Sequence, residues 1–177
     1  ADAALHSTMK QAQDKIAFYE NQEGKQISKR FVLEHEIRKD INNNYEHFRL
    51  VFQPLVKLQE SGNSWYGAET LLRYYNPNLP DVPQIELIET LEDSDLIIPV
   101  GRWILREALK ECSQWKRSGV DAHIHVNFSV QQLSDVGLLS YVKELFEKYE
   151  LEPSCLICEL TETSLLNDLE TASMLCW

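Results

Sequence analysis

Two periods of apolar residues divide the chain. Between Ser28 and Asn43, Leu33, Ile37 and Ile41 recur every four residues in a charged background, which predicts a helix with a narrow apolar stripe. From Phe48 the period changes. Phe48, Leu50, Phe52, Val56 and Leu58 alternate with Arg49, Val51, Gln53, Leu55 and Lys57, as in a strand. Gln59 to Ser64, containing Gly62-Asn63, reads as a turn, and Trp65 to Tyr75 as a second strand. Alternation there puts Glu69, Leu71 and Arg73 on one face and Ala68, Thr70 and Leu72 on the other.

Past a loop rich in Asn and Pro (Asn76 to Pro83), helices and strands take turns. A short amphipathic helix is predicted over Ile85 to Glu92. A longer one opens at Pro99, buries Trp103, Ile104, Ala108, Leu109, Cys112 and Trp115, and ends at Gly119. Strands follow at Ala122 to Ser129 and Leu156 to Thr161. Between them lies a helix, Leu138 to Tyr149, with Leu138, Leu139, Val142, Leu145 and Phe146 inward; another helix begins at Leu169. Such alternation implies an α/β fold of parallel strands joined by crossover helices. Upstream, Ala1 to Gln13 reads as a helix end, Ile16 to Tyr19 as a short strand and Asn21 to Lys25 as a connector. The stripe on the Ser28–Asn43 helix suits a link between domains, a partner helix or a plain surface helix.

Composition narrows the partners. The net charge of −11 argues against extended nucleic acid, which demands clustered Lys and Arg. It is compatible with a small anion held through metal ions, which need carboxylates. No apolar run approaches the roughly 20 residues that cross a bilayer. Cys112, Cys155, Cys158 and Cys176 could form two disulfides or a metal site. Cys155 and Cys158 lie in an apolar, strand-like run, so reduced, buried thiols and a cytosolic setting are the expectation.

Glu69, Asn127 and Glu159 fall at or near the C-terminal ends of successive strands. In a parallel α/β barrel that rim carries the active site. Oxygen ligands of this kind suit Mg²⁺ or Mn²⁺. Each residue alone reads more readily as a turn or cap residue than as a ligand. His123, His125 and Asn127 alternate on one strand face, a second pattern that could hold a metal.

The order of short motifs is more specific. Gln53-Pro54-Leu55-Val56 resembles the Q-P-I-V opening of the EAL domain family. Gly67-Ala68-Glu69-Thr70-Leu71-Leu72-Arg73-Tyr74 resembles its G-x-E-A-L-x-R-W signature, and Leu96-Ile97-Ile98-Pro99-Val100-Gly101-Arg102-Trp103-Ile104-Leu105 its L-I-x-x-I-G-x-W-V-L segment. Val126-Asn127-Phe128-Ser129 with Gln132-Leu133 resembles V-N-L-S-x-x-Q-L, and Glu159-Leu160-Thr161-Glu162 resembles E-I-T-E. Ala1-Asp2-Ala3-Ala4-Leu5 and Ile16-Ala17-Phe18-Tyr19 resemble, more briefly, the end of a GGDEF (diguanylate cyclase) domain.

The resemblance implies a division into a GGDEF tail (1–20), a linker helix (21–44) and the first part of an EAL domain (45–177), an incomplete barrel of TIM type. It implies a bacterial, cytoplasmic signalling protein that hydrolyses cyclic di-GMP to the linear dinucleotide with Mg²⁺ or Mn²⁺. Carried over by position, Glu69, Asn127 and Glu159 match metal ligands, and Glu69 is the catalytic residue of the set. Arg73 matches a phosphate-contacting arginine and Gln53 a glutamine near the ligand. Glu162 matches a supporting residue, and the histidines match no ligand. Thr70 replaces the signature's Ala and should face away from the site. Phe48 to Trp177 is about 130 residues, against about 250 for a complete barrel. The D-D-F-G-T-G motif and later carboxylates of the family do not occur in this sequence. The expectation is therefore a fragment of a GGDEF–EAL protein that hydrolyses poorly by itself. The alternatives are a non-catalytic module that binds protein or cyclic di-GMP, with a homodimer as one form, and an unstable relic.

Overall fold

The computed structural model describes residues 22–58, 64–79 and 81–160, with side chains from Lys29 onward. The upstream helix end and strand, the GGDEF-like tail, the Gln59–Asn63 part of the turn, Thr161, Glu162, the helix from Leu169 and Cys176 lie outside the described residues.

The elements run α1 (Gln22–Asn42), β1 (Phe48–Lys57), β2 (Ser64–Tyr74), α2 (Gln84–Asp93), α3 (Ile97–Arg117), β3 (His123–Phe128), α4 (Val130–Leu133), α5 (Leu138–Tyr149) and β4 (Leu156–Leu160). A 3₁₀ turn at Pro153–Cys155 leads into β4. The strands form one sheet in the order β1-β2-β3-β4. β1 is antiparallel to β2, whereas β2, β3 and β4 are mutually parallel. Parallel neighbours need a crossover, and α2, α3 and α5 supply it. An α/β arrangement of parallel strands and crossover helices is what the sequence pattern predicted.

The helices cover one face of the sheet. Phe48, Ala68, Leu72, Tyr74, Ile124, Val126 and Phe128 point into that interior and are buried. α3 runs the length of the core. Its first half packs with Leu72, Leu87 and Leu91, its second with Ile124, Val126 and Leu145. Leu33 and Ile37 of α1 are buried in the first of these clusters. The apolar stripe of α1 is thus occupied by its own domain and is not free for a partner helix.

Three expectations about side chains are corrected. The alternation in β1 fails beyond Phe52: Leu55 is half-buried, whereas Val56 and Leu58 are 57% and 77% exposed. The register shift between Leu55 and Val56 comes from an extra residue in β2, Tyr66, so the exchange of faces it causes falls on β2. In α5, Leu139 lies at the margin of the inward arc and is 53% exposed. In α3, Val100 and Leu105 are fully buried, whereas Ile104 and Trp115 are only half-buried. Of the described cysteines, all free, only Cys112 is buried; Cys155 is half-buried and Cys158, on β4, is exposed.

Candidate functional site

The other face of the sheet holds the polar residues. Register fixes which of them are neighbours. Gln53 stands opposite Glu69, and Glu69 beside His125, so one row runs across three strands. Asn127 pairs with Glu159 one pleat nearer the C-terminal rim of β3 and β4. Arg49 stands opposite Arg73 farther still along β1 and β2.

Glu69 does not sit at the end of its own strand, as the sequence reading placed it. β2 continues five residues beyond it, to Tyr74. Glu69 is near the rim only because β2 is long and β3 and β4 are short.

Two hydrogen bonds between side chains join strands on this face. Asn127 Nδ2 donates to Glu69 Oε1 at 2.8 Å. A carboxylate only accepts, so the amide nitrogen must be the atom turned to Glu69, leaving Asn127 Oδ1 as a free acceptor. His125 Nδ1 contacts Glu159 Oε1 at 2.6 Å. The structure therefore brings Glu69 and Asn127 together, with Glu159 beside Asn127. Gln53 is exposed across from Glu69 and makes no side-chain hydrogen bond to the described residues. Arg73 shares the face but lies four residues along β2, about 13 Å at strand rise. One of its guanidinium nitrogens donates to the Leu72 carbonyl at 2.7 Å. Arg49, its cross-strand neighbour, donates to the Glu46 and Phe48 carbonyls at 2.7 and 2.6 Å. Glu162 is outside the described residues.

The turn after β3 is locked by the residues that gave the motifs. Gln132 is buried, and its Oε1 accepts the Ser129 N–H at 2.9 Å. Its amide lies against Gly101, where a Cβ would meet Nε2 at 1.9 Å. Arg102 closes the same turn from α3 with a two-pronged contact to Asp135, 2.7 and 2.8 Å. Hydrogen bonds from Arg102 hold the Asp135 carboxyl below the usual carboxylate range. Gly67 has a similar role between strands: a Cβ there would lie 2.1 Å from the His123 carbonyl oxygen. Thr70 points away from Glu69, into the helical side, and is buried.

The donors Glu69, Asn127 and Glu159 are all oxygen, and they share one face. That chemistry fits a hard divalent cation. A tighter group, Asp40, Glu46 and His47, has ligand atoms within 4.8 Å of one another, the one such set among the described residues. Its central carboxylate is already occupied. Asp40 accepts from Tyr74 Oη at 2.6 Å and Asn76 Nδ2 at 3.1 Å, and meets His47 Nδ1 at 2.9 Å. This is a buried latch fastening α1 to the end of β2. A groove of about 470 Å³ opens between β1 and α3 beside Phe48, Leu50 and Trp103, on the helix-covered side and away from Glu69.

The sequence reading offered His125 as part of a possible metal-holding pattern and not as a partner of Glu159. The signal was present: the H-x-H-x-N alternation puts His125 on the face of Asn127. The resemblance assigned no role to it.

Comparison with known proteins agrees with the motifs. Signaling protein YkoW of Bacillus subtilis is 30% identical over 169 residues, covering 96% of this chain and 21% of YkoW. The bifunctional diguanylate cyclase/cyclic di-GMP phosphodiesterase MucR of Pseudomonas aeruginosa is 28% identical, over 97% of this chain and 25% of its own length. The chain thus spans about a quarter or less of these relatives. The solved PaMucR phosphodiesterase in complex with c-di-GMP superposes with a TM-score of 0.70 at 30% identity, covering 79% of this chain and 56% of that one. The EAL domain family matches residues 34–176, beginning within α1, and this chain belongs to that family.

Proposed function

We propose that this domain binds cyclic di-GMP across the open face of the sheet and that its complete form hydrolyses one phosphodiester to give the linear dinucleotide. The observation that carries the reading is the contact of Asn127 Nδ2 with Glu69 Oε1 at 2.8 Å, with Glu159 paired beside Asn127. In this reading Glu69, Asn127 Oδ1 and Glu159 hold divalent cations, and Glu69 is the catalytic member. Bound cations would supply charge neutralisation and a more acidic water. Arg73 would neutralise a ligand phosphate through the nitrogens its Leu72 contact leaves free. Gln53 would orient the ligand from β1, with Glu162 in a supporting place. The MucR relative supports both the substrate and a parent protein that joins GGDEF and EAL modules.

The 177 residues by themselves should bind the ligand better than they turn it over. Two carboxylates contribute a charge of about −2, against +4 for two divalent ions, so double occupancy is weak and water activation suffers. Titration with cyclic di-GMP, with and without Mn²⁺, and chromatography for the linear product test both parts. The expected result is Mn²⁺-assisted binding without useful turnover. No binding at all would overturn the ligand assignment. Turnover that disappears on Glu69→Ala would overturn the claim of incompleteness and mean that a second copy completes the site.

A further inference from the structure

We propose that His125 is a positioning residue that fixes the Glu159 carboxylate on the open face, an inference resting on the reading of Glu159 as a metal ligand. The contact is diagonal. His125 pairs in register with Ile157, and Glu159 lies one pleat farther along β4. On the opposite flank, Asn127 reaches one pleat back to Glu69, whose register partner is His125. Two successive same-face residues of β3 therefore hold one carboxylate each, Glu69 on β2 and Glu159 on β4.

The chemistry of the pair fixes the proton. An ionised carboxylate can only accept, so His125 Nδ1 carries the hydrogen. The 2.6 Å separation is in the short range of bonds to charged acceptors. The two partners are unequal in freedom. The His125 side chain is 12% exposed, while that of Glu159 is 41% exposed. The Tyr66 ring lies edge-on to His125 at 6.0 Å between centroids. An enclosed ring thus anchors an exposed carboxylate that would otherwise sample several rotamers.

The enclosure carries a cost. Among the described residues, His125 Nε2 is buried without a hydrogen-bond partner. A buried polar atom left unsatisfied lowers stability, so packing alone is a poor reason for histidine at this position. Orientation of Glu159 is a better one. Partners that orient metal ligands typically change metal affinity by about 10- to 100-fold when removed.

The test uses the whole 177-residue chain. Calorimetric titration with Mn²⁺ is compared for wild type, His125→Ala and His125→Asn, each with its thermal midpoint. Asparagine places an amide N–H at the same bond from Cγ as the imidazole Nδ1–H. His125→Ala should weaken Mn²⁺ binding about tenfold or more, and His125→Asn should restore most of it. A purely structural role would lower the midpoint without that split. Where His125→Ala does not fold, His125→Gln, with its amide one bond too far, takes its place. A metal-free readout accompanies this: nitrogen-15 spectra of the imidazole should show the Nδ1–H tautomer and respond to Glu159→Leu. Equal Mn²⁺ affinity in wild type and His125→Ala overturns the proposal, as does an imidazole spectrum indifferent to Glu159→Leu. A chain that binds no Mn²⁺ but shows the spectral response refutes the metal reading and leaves the His125–Glu159 contact supported.

Discussion

The two faces of this sheet are built from the same strands and obey different rules. On the helix-covered face, alternate residues are mostly apolar and buried, and shape decides what fits. On the open face, the same strands offer Gln53, Glu69, Arg73, His125, Asn127 and Glu159, with one directed hydrogen bond from Asn127 to Glu69 and one between His125 and Glu159. The first face determines whether the chain folds. The second determines what the fold can do, and it contributes little to folding. Stability and binding should therefore respond to different substitutions, and the contrast can be broken from either side.

The largest stability effect belongs to the covered face. Phe48 is 1% exposed and meets Tyr74 and Trp103 with ring centroids at 4.9 and 5.9 Å. Phe48→Ala should cost about 3–5 kcal/mol, measured by urea unfolding. A loss under 1 kcal/mol would mean that the two faces differ less than burial indicates. Gly67→Ala comes next, because its Cβ would collide with backbone and not with a movable side chain. Separation of β2 from β3 should cost about 1–3 kcal/mol and displace Glu69 from Asn127, so it is the substitution that couples the faces. Ligand binding that survives Gly67→Ala intact would argue that the Glu69–Asn127 spacing is unimportant.

Arg102 and Asp135 give a smaller effect with a pH signature. The Asp135 carboxyl is held low by Arg102, so the unfolded chain takes up its proton first as pH falls. The contribution is fully present above the ordinary aspartate value of about 3.9 and is lost as pH drops through the folded, lower value. Asp135→Asn should cost about 1–2 kcal/mol at neutral pH, since Arg102 is partly exposed. The gap to wild type should close in acid. A gap that stayed constant between neutral pH and pH 3 would show that the ion pair is not its source.

How much of this was legible in the sequence follows the same division. The covered face was, because burial imposes periods of two and about four on Phe48–Phe52, Ala68–Leu72 and the α5 helix. Where the period broke, the reading failed: beyond Phe52, Leu55 is half-buried while Val56 and Leu58 are exposed. Short turns such as α4 and Pro153–Cys155 carry too few residues for a period and went unseen. The open face has no hydrophobic pattern to read. Glu69, Asn127 and Glu159 came from strand ends and motif resemblance. The level of Glu69 against Asn127, and the contact of His125 with Glu159, depend on inter-strand register, which no single segment encodes.

The smallest expected stability effect is also the sharpest test of the contrast. Glu69→Gln keeps the shape of the side chain and an Oε1 that can still accept from Asn127 Nδ2. It removes one negative charge from a face that already holds Glu159. Nothing in the helix-covered core touches it, so the unfolding free energy should stay within about 0.5 kcal/mol of wild type. Cation binding should behave oppositely. A neutral amide oxygen is a much poorer partner for Mg²⁺ or Mn²⁺ than a carboxylate, and one of only two carboxylates has gone. Mn²⁺ affinity should fall about tenfold or more, corresponding to at least 1.4 kcal/mol. Parallel urea unfolding and Mn²⁺ calorimetry on the same preparation read both numbers. If Glu69→Gln destabilised the fold by as much as Phe48→Ala, Glu69 would be a structural residue of the sheet, and the separation of a folding face from a binding face would not hold.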